Sequence, residues 1–362
     1  MLLSVGGVKI KKIYIIFLFI ILIFAAYGVN SIFNQHSQVT SSNYDKSNVT
    51  LFFTGDVMLG RGVDGILASG QNVFSNVDPL FLNSDGVIVN LEDPLTTSSV
   101  NYKKTVPLKA NPVYTPILKN NNIIVACLAN NHIMDYGDTG LTDSINALKS
   151  NGINYTGAGD NLNQATQPVY LNIKGHKIAV LNFLDNSSFT EFLPSEMPSA
   201  TVNSPGYAPA NWTIIKQRID ESKKNSDITI VVFHYGNEYS TTPNHSQIEL
   251  SHECIDEGAD MVIGSHPHVI QKIESYKGKP IFYSLGNFVF DQSNPATHSS
   301  LMVEMDLSGN NAKVIVHPIS LVNSIPRPMD NTTSTALLEQ LKNQSSLNMT
   351  IQGGTGILTF QI

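Results

Sequence analysis

Acidic, amide and imidazole side chains repeatedly follow short apolar runs that are rich in β-branched residues. Such runs at residues 49–53, 87–89, 123–128, 228–233 and 261–263 lead into Asp56, Glu92, Asn131-His132, His234 and His266-Pro267-His268. Apolar runs of this length and composition are typical of buried strands. In open α/β sheets the functional groups gather outside the carboxyl ends of the strands. The pattern therefore predicts that these side chains meet at one edge of a sheet.

The residue types at these strand ends suit a metal centre. Carboxylates are hard oxygen donors, imidazoles offer nitrogen, and an amide can add its carbonyl oxygen. This mixture favours one or two divalent ions of Mn, Zn or Fe over Mg or Ca, which prefer shells made of oxygen alone. Two ions about 3.5–4 Å apart can hold the attacking and the leaving oxygen of a phosphoryl displacement. The predicted metal ligands are Asp56, Glu92, Asn131, His234, His266 and His268.

Two further residues are candidates for catalysis. His132 directly follows Asn131, so it is placed to act as a general acid beside the metal. Arg61 lies in the loop after Asp56, where its guanidinium can hold a phosphate or a carboxylate through two parallel hydrogen bonds.

Each of these residues also has an ordinary structural role open to it. A single His at a strand end is more often a hydrogen-bonded surface residue than a ligand, and Asp or Asn there commonly forms a turn or caps a helix. Asp135, for example, can cap the helix expected near Leu141. Several strand ends together still favour the metal centre, because the ordinary roles would all have to coincide. Four other histidines, His176, His245, His252 and His317, carry no signal for a site.

The elements that must position these residues alternate between strand and helix. Helical patterns cover residues 141–151 and 248–258, a further strand covers 177–183, and the chain after residue 306 has an antiparallel character. This alternation predicts an α/β layered fold. The proline-rich stretch at residues 186–211 is predicted to be a surface excursion near the site.

Length and composition exclude some classes of protein. The chain has 362 residues, enough for one large domain or two small ones. Its net charge of -7, with only 14% charged residues, leaves no basic surface that would indicate nucleic-acid binding. Cys127 lies in an apolar strand pattern and Cys254 in a helical one, which favours buried free thiols over a disulfide.

The N-terminus has the pattern of a single-pass membrane anchor. Lys9, Lys11 and Lys12 precede an uncharged apolar run at residues 13–29, which is close to the short limit for a span. The basic flank would remain in the cytoplasm and the rest of the chain would lie outside it. A cleaved signal peptide is the alternative, because the run is short and small residues at 25–26 can precede a cleavage site. Residues 30–48, rich in Ser, Asn and Gln, are predicted to be a flexible linker.

Several segments together carry a family resemblance. They are GDVMLGR (55–61), NLEDPLT (90–96), LANNHIMDYGDTGL (128–141), HYGNEY (234–239), GADMVIGSHPHVIQ (258–271) and YSLGNFVFDQ (283–292). Over residues 50–292 the chain thereby resembles the capsule synthesis protein CapA family, whose members take part in poly-γ-glutamate production. An N-terminal membrane anchor followed by an extracytoplasmic domain is usual in that family.

CapA-like domains in turn resemble calcineurin-type metallophosphoesterases. This resemblance implies a four-layer αββα sandwich with a dinuclear metal site. Asp56 matches the first metal-binding Asp, and Asn131-His132 matches the metal-binding Asn and the acid His that follows it. The later metal-binding histidines are matched by His234 and the His266-Pro267-His268 turn.

Two positions depart from the superfamily pattern. An early Asp-x-His motif would place an imidazole at position 58, where this chain has Met58. The bridging Asp of the superfamily has no clear counterpart, and Glu92 is the nearest candidate. The resemblance therefore implies a site that is one imidazole short.

These observations predict a domain plan. It consists of a cytoplasmic basic segment at 1–12, a transmembrane anchor at 13–29, a linker at 30–48, a CapA-like metallophosphoesterase-fold domain at 49–322, and a C-terminal extension at 323–362 that packs on the domain.

The predicted function is that of a membrane-anchored, extracytoplasmic protein for capsule or poly-γ-glutamate biosynthesis or export, with a metal-dependent phosphoesterase-like or hydrolase site. Its predicted partners are the membrane, an anionic polymer such as poly-γ-glutamate, and a membrane synthetase complex. The alternative is a non-catalytic accessory subunit that binds the polymer and docks the synthetase. A third possibility is a phosphatase that acts on a soluble substrate and shares only the fold.

The predicted topology can be tested with a reporter fused after residue 48. Because the lysines stay inside, alkaline phosphatase at this point should be active and a cytoplasmic reporter should be inactive. Activity of the cytoplasmic reporter alone would contradict an extracytoplasmic domain.

Overall fold

The structure, a computed structural model, describes residues 47–102, 106–187, 189, 197–309, 311–345 and 347–361. The predicted cytoplasmic segment, the predicted anchor and all but two residues of the predicted linker lie outside these residues. Among the residues described, no helix combines the length and the hydropathy needed to cross a bilayer.

Helices and strands alternate through the first three quarters of the described chain. The strands are β1 (Val49–Val57), β2 (Gly86–Leu91), β3 (Ile123–Cys127), β4 (Asn154–Thr156), β5 (Ala158–Gly159), β6 (Val169–Ile173), β7 (His176–Leu184), β8 (Gly206–Tyr207), β9 (Ile228–His234), β10 (Met261–Ser265), β11 (Ile273–Tyr276), β12 (Lys279–Phe282), β13 (Asn287–Val289), β14 (Ser299–Ser308), β15 (Asn311–Val322), β16 (Ile325–Pro328), β17 (Thr350–Gln352) and β18 (Thr355–Gln361). The α-helices are α1 (Gly62–Ala68), α2 (Asp78–Leu82), α3 (Thr115–Asn120), α4 (Gly137–Ser150), α5 (Leu162–Ala165), α6 (Trp212–Asn225), α7 (His245–Glu257) and α8 (Asn331–Ser345).

The larger of two main sheets is mixed. Its strand order is β17-β18-β15-β14-β1-β2-β3-β4, with β13 paired to β1 and β16 paired to β15. Neighbouring strands from β1 to β4 run parallel, whereas β14 to β18 pair in an antiparallel manner. The α/β class and the antiparallel character of the C-terminal part are therefore confirmed.

The smaller sheet is parallel in its centre and has one antiparallel strand at each edge. Its order is β11-β12-β10-β9-β7-β6, and β7, β9, β10 and β12 are parallel. Because β9 and β10 are adjacent and parallel, their carboxyl ends lie side by side, with His234 opposite Ser265.

The two sheets pack face to face. Alternate residues of β1 (Leu51, Phe53) and of β9 (Ile230, Val232) share one buried apolar cluster, as expected when inner faces of two sheets meet. The outward-facing alternates join a second cluster with the helices, in which α3 packs on β3, while α6 packs on β7 and β9. Helices therefore pack against both sheets on the side away from the shared apolar cluster.

Strands in the C-terminal part of the chain extend the larger sheet, and a helix there packs against the cluster between the two sheets. Strands β16 and β18 pair with β15, and β17 pairs with β18. Leu338 and Leu341 of α8 are buried in the cluster between the sheets. Cys127 and Cys254 are both buried and free, as predicted.

Glycine permits two close approaches at the carboxyl ends of the strands. A Cβ atom at Gly55 of β1 would lie 1.7 Å from the carbonyl oxygen of Gly286, and one at Gly264 of β10 would lie 2.0 Å from that of Tyr283. Any larger residue would push apart the strands that carry the candidate site.

Gly264→Ala should therefore destabilise the protein by about 1–3 kcal/mol, since the added methyl group overpacks a rigid backbone contact. Chemical denaturation measures this change. Gly65→Ala is the matched control: it lies inside α1 with nothing within 4 Å of a new Cβ. The control should be neutral or stabilising by about 0.5–1 kcal/mol, and equal stability of the two variants would contradict the close-approach argument.

Candidate metal centre

The structure gathers the predicted ligands at the carboxyl ends of both sheets. Asp56 is near the end of β1, Glu92 directly follows β2, and Asn131 lies in the loop after β3. His234 ends β9, and the turn after β10 carries His266 and His268. All six side chains are buried, with relative exposures of 0–4%.

The centre of the cluster is the Nε2 atom of His234. It lies 2.9 Å from Asn131 Oδ1, 3.1 Å from His266 Nδ1 and 3.6 Å from Glu92 Oε1. Asp56, Glu92 and His234 each offer a donor atom within 4.8 Å of the other two. Donor atoms that share one ion at about 2.1 Å are roughly 3.0–3.4 Å apart in octahedral or tetrahedral shells. The observed separations fit this requirement.

The Oε1 atom of Glu92 gives a second test of the fit. It is buried and has no hydrogen-bond partner among the described residues, although it faces His234. An unpaired buried carboxylate oxygen is costly, because the desolvation penalty is not compensated. A divalent cation among these donors would supply the missing compensation, so the residues present fit such an ion.

The side chain of Asn90 holds the two carboxylates together. Its Nδ2 donates 2.8 Å to Asp56 Oδ1 and 2.6 Å to Glu92 Oε2. Burial raises the pKa of Glu92 well above its ordinary value, and the charge of Asp56 raises it further, while the Asn90 hydrogen bond opposes both. Without a cation, Glu92 would therefore tend to hold a proton.

The two histidines after β10 contact different parts of the cluster. Both have a left-handed backbone, with φ of 97° at His266 and 60° at His268. The His266 ring turns toward His234, and the backbone N–H of His266 donates to Asp56 Oδ2 over 3.4 Å. His268 Nδ1 lies 3.2 Å from Asp56 Oδ2 and 2.8 Å from Asn287 Oδ1. Burial acts to lower the pKa of His268, but the hydrogen bond and charge of Asp56 outweigh it, so this pKa is raised.

Position 58, where the metallophosphoesterase pattern has an imidazole, belongs to the core. Met58 is fully buried in the apolar cluster, and its N–H donates to the carbonyl of Val289. A thioether is a soft ligand that does not suit a site rich in carboxylates.

His132 pairs with a buried acid beside the cluster. Its Nδ1 lies 2.7 Å from Asp135 Oδ2, which also accepts the N–H of Leu108 at 2.7 Å. Of the ordinary roles open to Asp135, the helix cap is not formed, because α4 begins at Gly137 and its N-cap residue Tyr136 makes no side-chain cap, although Asp135 does lie in the turn before that helix. Its carboxylate instead fixes the orientation of the imidazole.

A cavity of about 520 Å³ opens onto the cluster. Its walls include Asn131, His132, His268, Glu238 and Arg61. Arg61 is thus at the cavity, as a substrate-holding role requires, but its Nη2 is paired with Asp291 Oδ1 at 2.6 Å. Its side chain remains 40% exposed, so it can still reach a ligand.

Aromatic rings cover the imidazoles. The centroid of Phe189 lies 4.4 Å from that of His266, and Phe290 lies 4.9 Å from His268. Phe189 belongs to the stretch at 186–211, which was predicted to lie near the site. The rings limit the access of water and so strengthen electrostatic interactions within the cluster.

The histidines without a predicted role lie outside the cluster. His245 is exposed beside Glu249, whereas His252 is paired with Glu274 and His317 with Glu304. His176 is buried at the start of β7.

The sequence did not single out three side chains that shape the site. Asn90 and Asn287 lie in the motifs at 90–96 and 283–292 without an assigned role, and Phe189 lies in a loop without periodicity. Strand pairing is the signal that could have found the two asparagines: Asp56 is in register with Asn90 on one side and with Asn287 on the other.

Comparisons with known proteins agree with the sequence motifs. The family model described as bacterial capsule synthesis protein PGA_cap matches residues 50–292. The PGA biosynthesis protein CapA of Bacillus subtilis (strain 168) is 36% identical over 328 residues, which cover 88% of this chain and 84% of that protein. The capsule biosynthesis protein CapA of Bacillus anthracis is 36% identical over 296 residues, covering 79% of this chain and 70% of that protein.

A mycobacterial relative is more distant. The probable polyglutamine synthesis accessory protein MT0602 of Mycobacterium tuberculosis (strain CDC 1551 / Oshkosh) is 30% identical over 303 residues, covering 72% of this chain and 79% of that protein. The family match spans all the motifs that carry the candidate site, so the predicted resemblance is confirmed, and the chain belongs to the bacterial capsule synthesis protein family PGA_cap.

Proposed function

We propose that this chain acts in capsule or poly-γ-glutamate synthesis through a metal-dependent hydrolase site of the metallophosphoesterase kind. The biological part rests on the family match and on relatives that are described as CapA proteins. The chemical part rests on one observation, the buried Glu92 Oε1 that faces His234 Nε2 without a hydrogen-bond partner among the described residues.

In this proposal the ligands are the six residues that the sequence predicted. A divalent Mn, Zn or Fe ion held there would act as a Lewis acid on an oxygen of the substrate. Asp56 and Glu92 supply negative charge and oxygen donors, and the imidazoles supply nitrogen donors. A four-layer metallophosphoesterase fold is part of the proposal, supported by two sheets that share a buried cluster and by the location of the six residues at or just after the carboxyl ends of their strands.

His132 is the proposed general acid. The Asp135 carboxylate contacts Nδ1 and orients the ring, and His132 lines the cavity, where its imidazole would exchange a proton with a bound substrate. A leaving oxygen in the cavity can therefore receive its proton from His132.

Arg61 is proposed to hold an anionic group of the substrate. Its guanidinium faces the cavity while one of its nitrogens contacts Asp291. A phosphate or carboxylate can accept from the remaining N–H groups. The rim of the cavity would thereby select for anionic substrates.

An accessory role is the second candidate. It is favoured by the description of the mycobacterial relative as an accessory protein of polyglutamine synthesis. In that case the cluster and Arg61 would bind carboxylates of the polymer and a synthetase complex would do the chemistry. Both candidates include a single-pass membrane anchor at residues 13–29 and an extracytoplasmic domain, supported by the basic flank and the apolar run.

The proposed metal site predicts the metal content of the protein. The full-length protein, purified in a mild detergent, should carry one or two transition-metal ions per chain. Asp56→Ala and His266→Ala should each reduce the content markedly, because both remove a buried donor. Plasma mass spectrometry measures the content, and circular dichroism checks folding.

His245→Ala is the matched control, since this side chain is 91% exposed and lies outside the cluster. Metal binding should also weaken as the pH falls, because imidazoles must be neutral to ligate and Glu92, with its raised pKa, takes up a proton early. Absence of metal from the wild type, or equal content in all variants, would refute the metal assignment.

The second prediction separates the enzyme from the accessory subunit. His132→Asn removes the proton donor but nearly preserves size and polarity, so turnover should fall roughly 10²–10⁴-fold while the metal remains. Polymer output of cells that carry this variant is the measurement. Asp56→Ala serves as the comparison, because it should abolish both metal and output. Near-normal output from His132→Asn with its metal bound would favour the accessory role.

A further inference from the structure

We propose that Asn287 is an oxygen ligand of the second cation in the proposed site, which it would share with Asp56 and His268 beside the cluster around His234. This inference rests on the proposed function, since it requires that the strand edge binds cations at all. It adds a ligand that neither the motifs nor the superfamily pattern assigned.

The donor atoms of the three residues converge. His268 Nδ1 is 2.8 Å from Asn287 Oδ1 and 3.2 Å from Asp56 Oδ2. These separations lie close to those expected of atoms that share one ion. All three side chains are buried, with exposures of 0–4%, so water does not compete freely for the donors.

Asp56 can serve both positions because its two oxygens face different ways. Its Oδ1 accepts from Asn90, which also holds Glu92 of the first position, while its Oδ2 faces His268. A carboxylate shared in this manner would bring two ions near to each other without a bridging Asp from another strand.

The orientation of the Asn287 amide is fixed by a neighbour. Its Nδ2 donates 2.9 Å to Gln292 Oε1, which directs Oδ1 toward His268. The backbone holds the same arrangement, because β13 pairs with β1 so that Asn287 is in register with Asp56. Oriented partners of this kind set the direction of a ligand and increase its affinity.

Asn287 can also compensate for the imidazole that the superfamily pattern has at position 58 and that this chain lacks. Met58 is buried in the core and offers only a soft thioether. An amide oxygen from the adjacent strand would replace the missing imidazole with a hard donor. Such an exchange favours Mn over Zn at this position, since Mn accepts oxygen ligands more readily.

The inference is tested on the full-length protein with Mn²⁺ as the probe. Mass spectrometry counts the ions after dialysis, and electron paramagnetic resonance distinguishes a coupled Mn²⁺ pair from an isolated ion. The wild type should bind two ions and give the signal of a coupled pair. Asn287→Leu, which has nearly the same volume but no oxygen donor, should bind one ion and give an isolated signal.

Three variants complete the test. Asn287→Asp keeps an oxygen donor and should still bind two ions. Gln292→Leu, which removes the acceptor that orients the Asn287 amide, should weaken the second binding step in calorimetry by about 10–100-fold. Asn225→Leu, on the exposed end of α6, is the control and should behave as the wild type does.

The outcomes separate the two proposals. One ion in both the wild type and Asn287→Leu, lost in His234→Ala, would overturn the second position and leave the proposed function intact. No ion in the wild type would overturn both. Should Asn287→Leu fail to fold, an unchanged second binding step in Gln292→Leu would itself overturn the inference.

Discussion

The structure of this strand edge depends on one constraint, the burial of two carboxylates a few ångströms apart. Asp56 and Glu92 are fully buried and share the amide of Asn90. Like charges at this distance in a low dielectric repel strongly, and each carries a desolvation penalty of several kcal/mol. A single amide cannot offset both. Protons, imidazolium groups or a cation must balance them, and the neighbouring imidazoles of His234 and His268 are suited to bind a cation as well as to pair with the acids.

This constraint explains why the fold uses two sheets. One sheet alone would present the carboxylates of β1 and β2 to solvent, where they would bind cations weakly. The second sheet brings β9 and β10 over them, so that imidazoles close the cluster and Phe189 covers it. At the carboxyl ends of β1 and β10, positions 55 and 264 each require glycine, because a Cβ atom there would meet the carbonyl oxygen of Gly286 or of Tyr283. A change that disturbs the close packing at these strand ends would therefore also disturb the geometry of the site.

Sequence reasoning identified the site residues that lie at the ends of strands, and it missed those whose role depends on which strands pair and in which register. Asp56, His234 and His266 could be predicted because the carboxyl ends of parallel strands share an edge. Asn287 could not, because its role comes from the register of β13 with β1, which joins residues far apart in the chain. For Asp135 the local pattern indicated only an ordinary role before the helix, and it gave no sign of the contact with His132 across a tight turn that uses its carboxylate. Residues 1–46, which carry the predicted anchor, lie outside the described structure.

Charge also links the two candidate functions. The chain has a net charge of -7, and its site buries Asp56, Glu92, Asp93 and Asp135. Burial raises the pKa of Asp93 to about 7, although the N–H groups of Leu59 and Gly60 oppose this, because a charge is costly to hold away from water. An anionic polymer would be repelled from such an edge, and Arg61 is already paired with Asp291. Bound cations would reverse the local field. Whether the protein cleaves its substrate or only holds it, a cation in the cluster would make this cavity compatible with the proposed anionic partner.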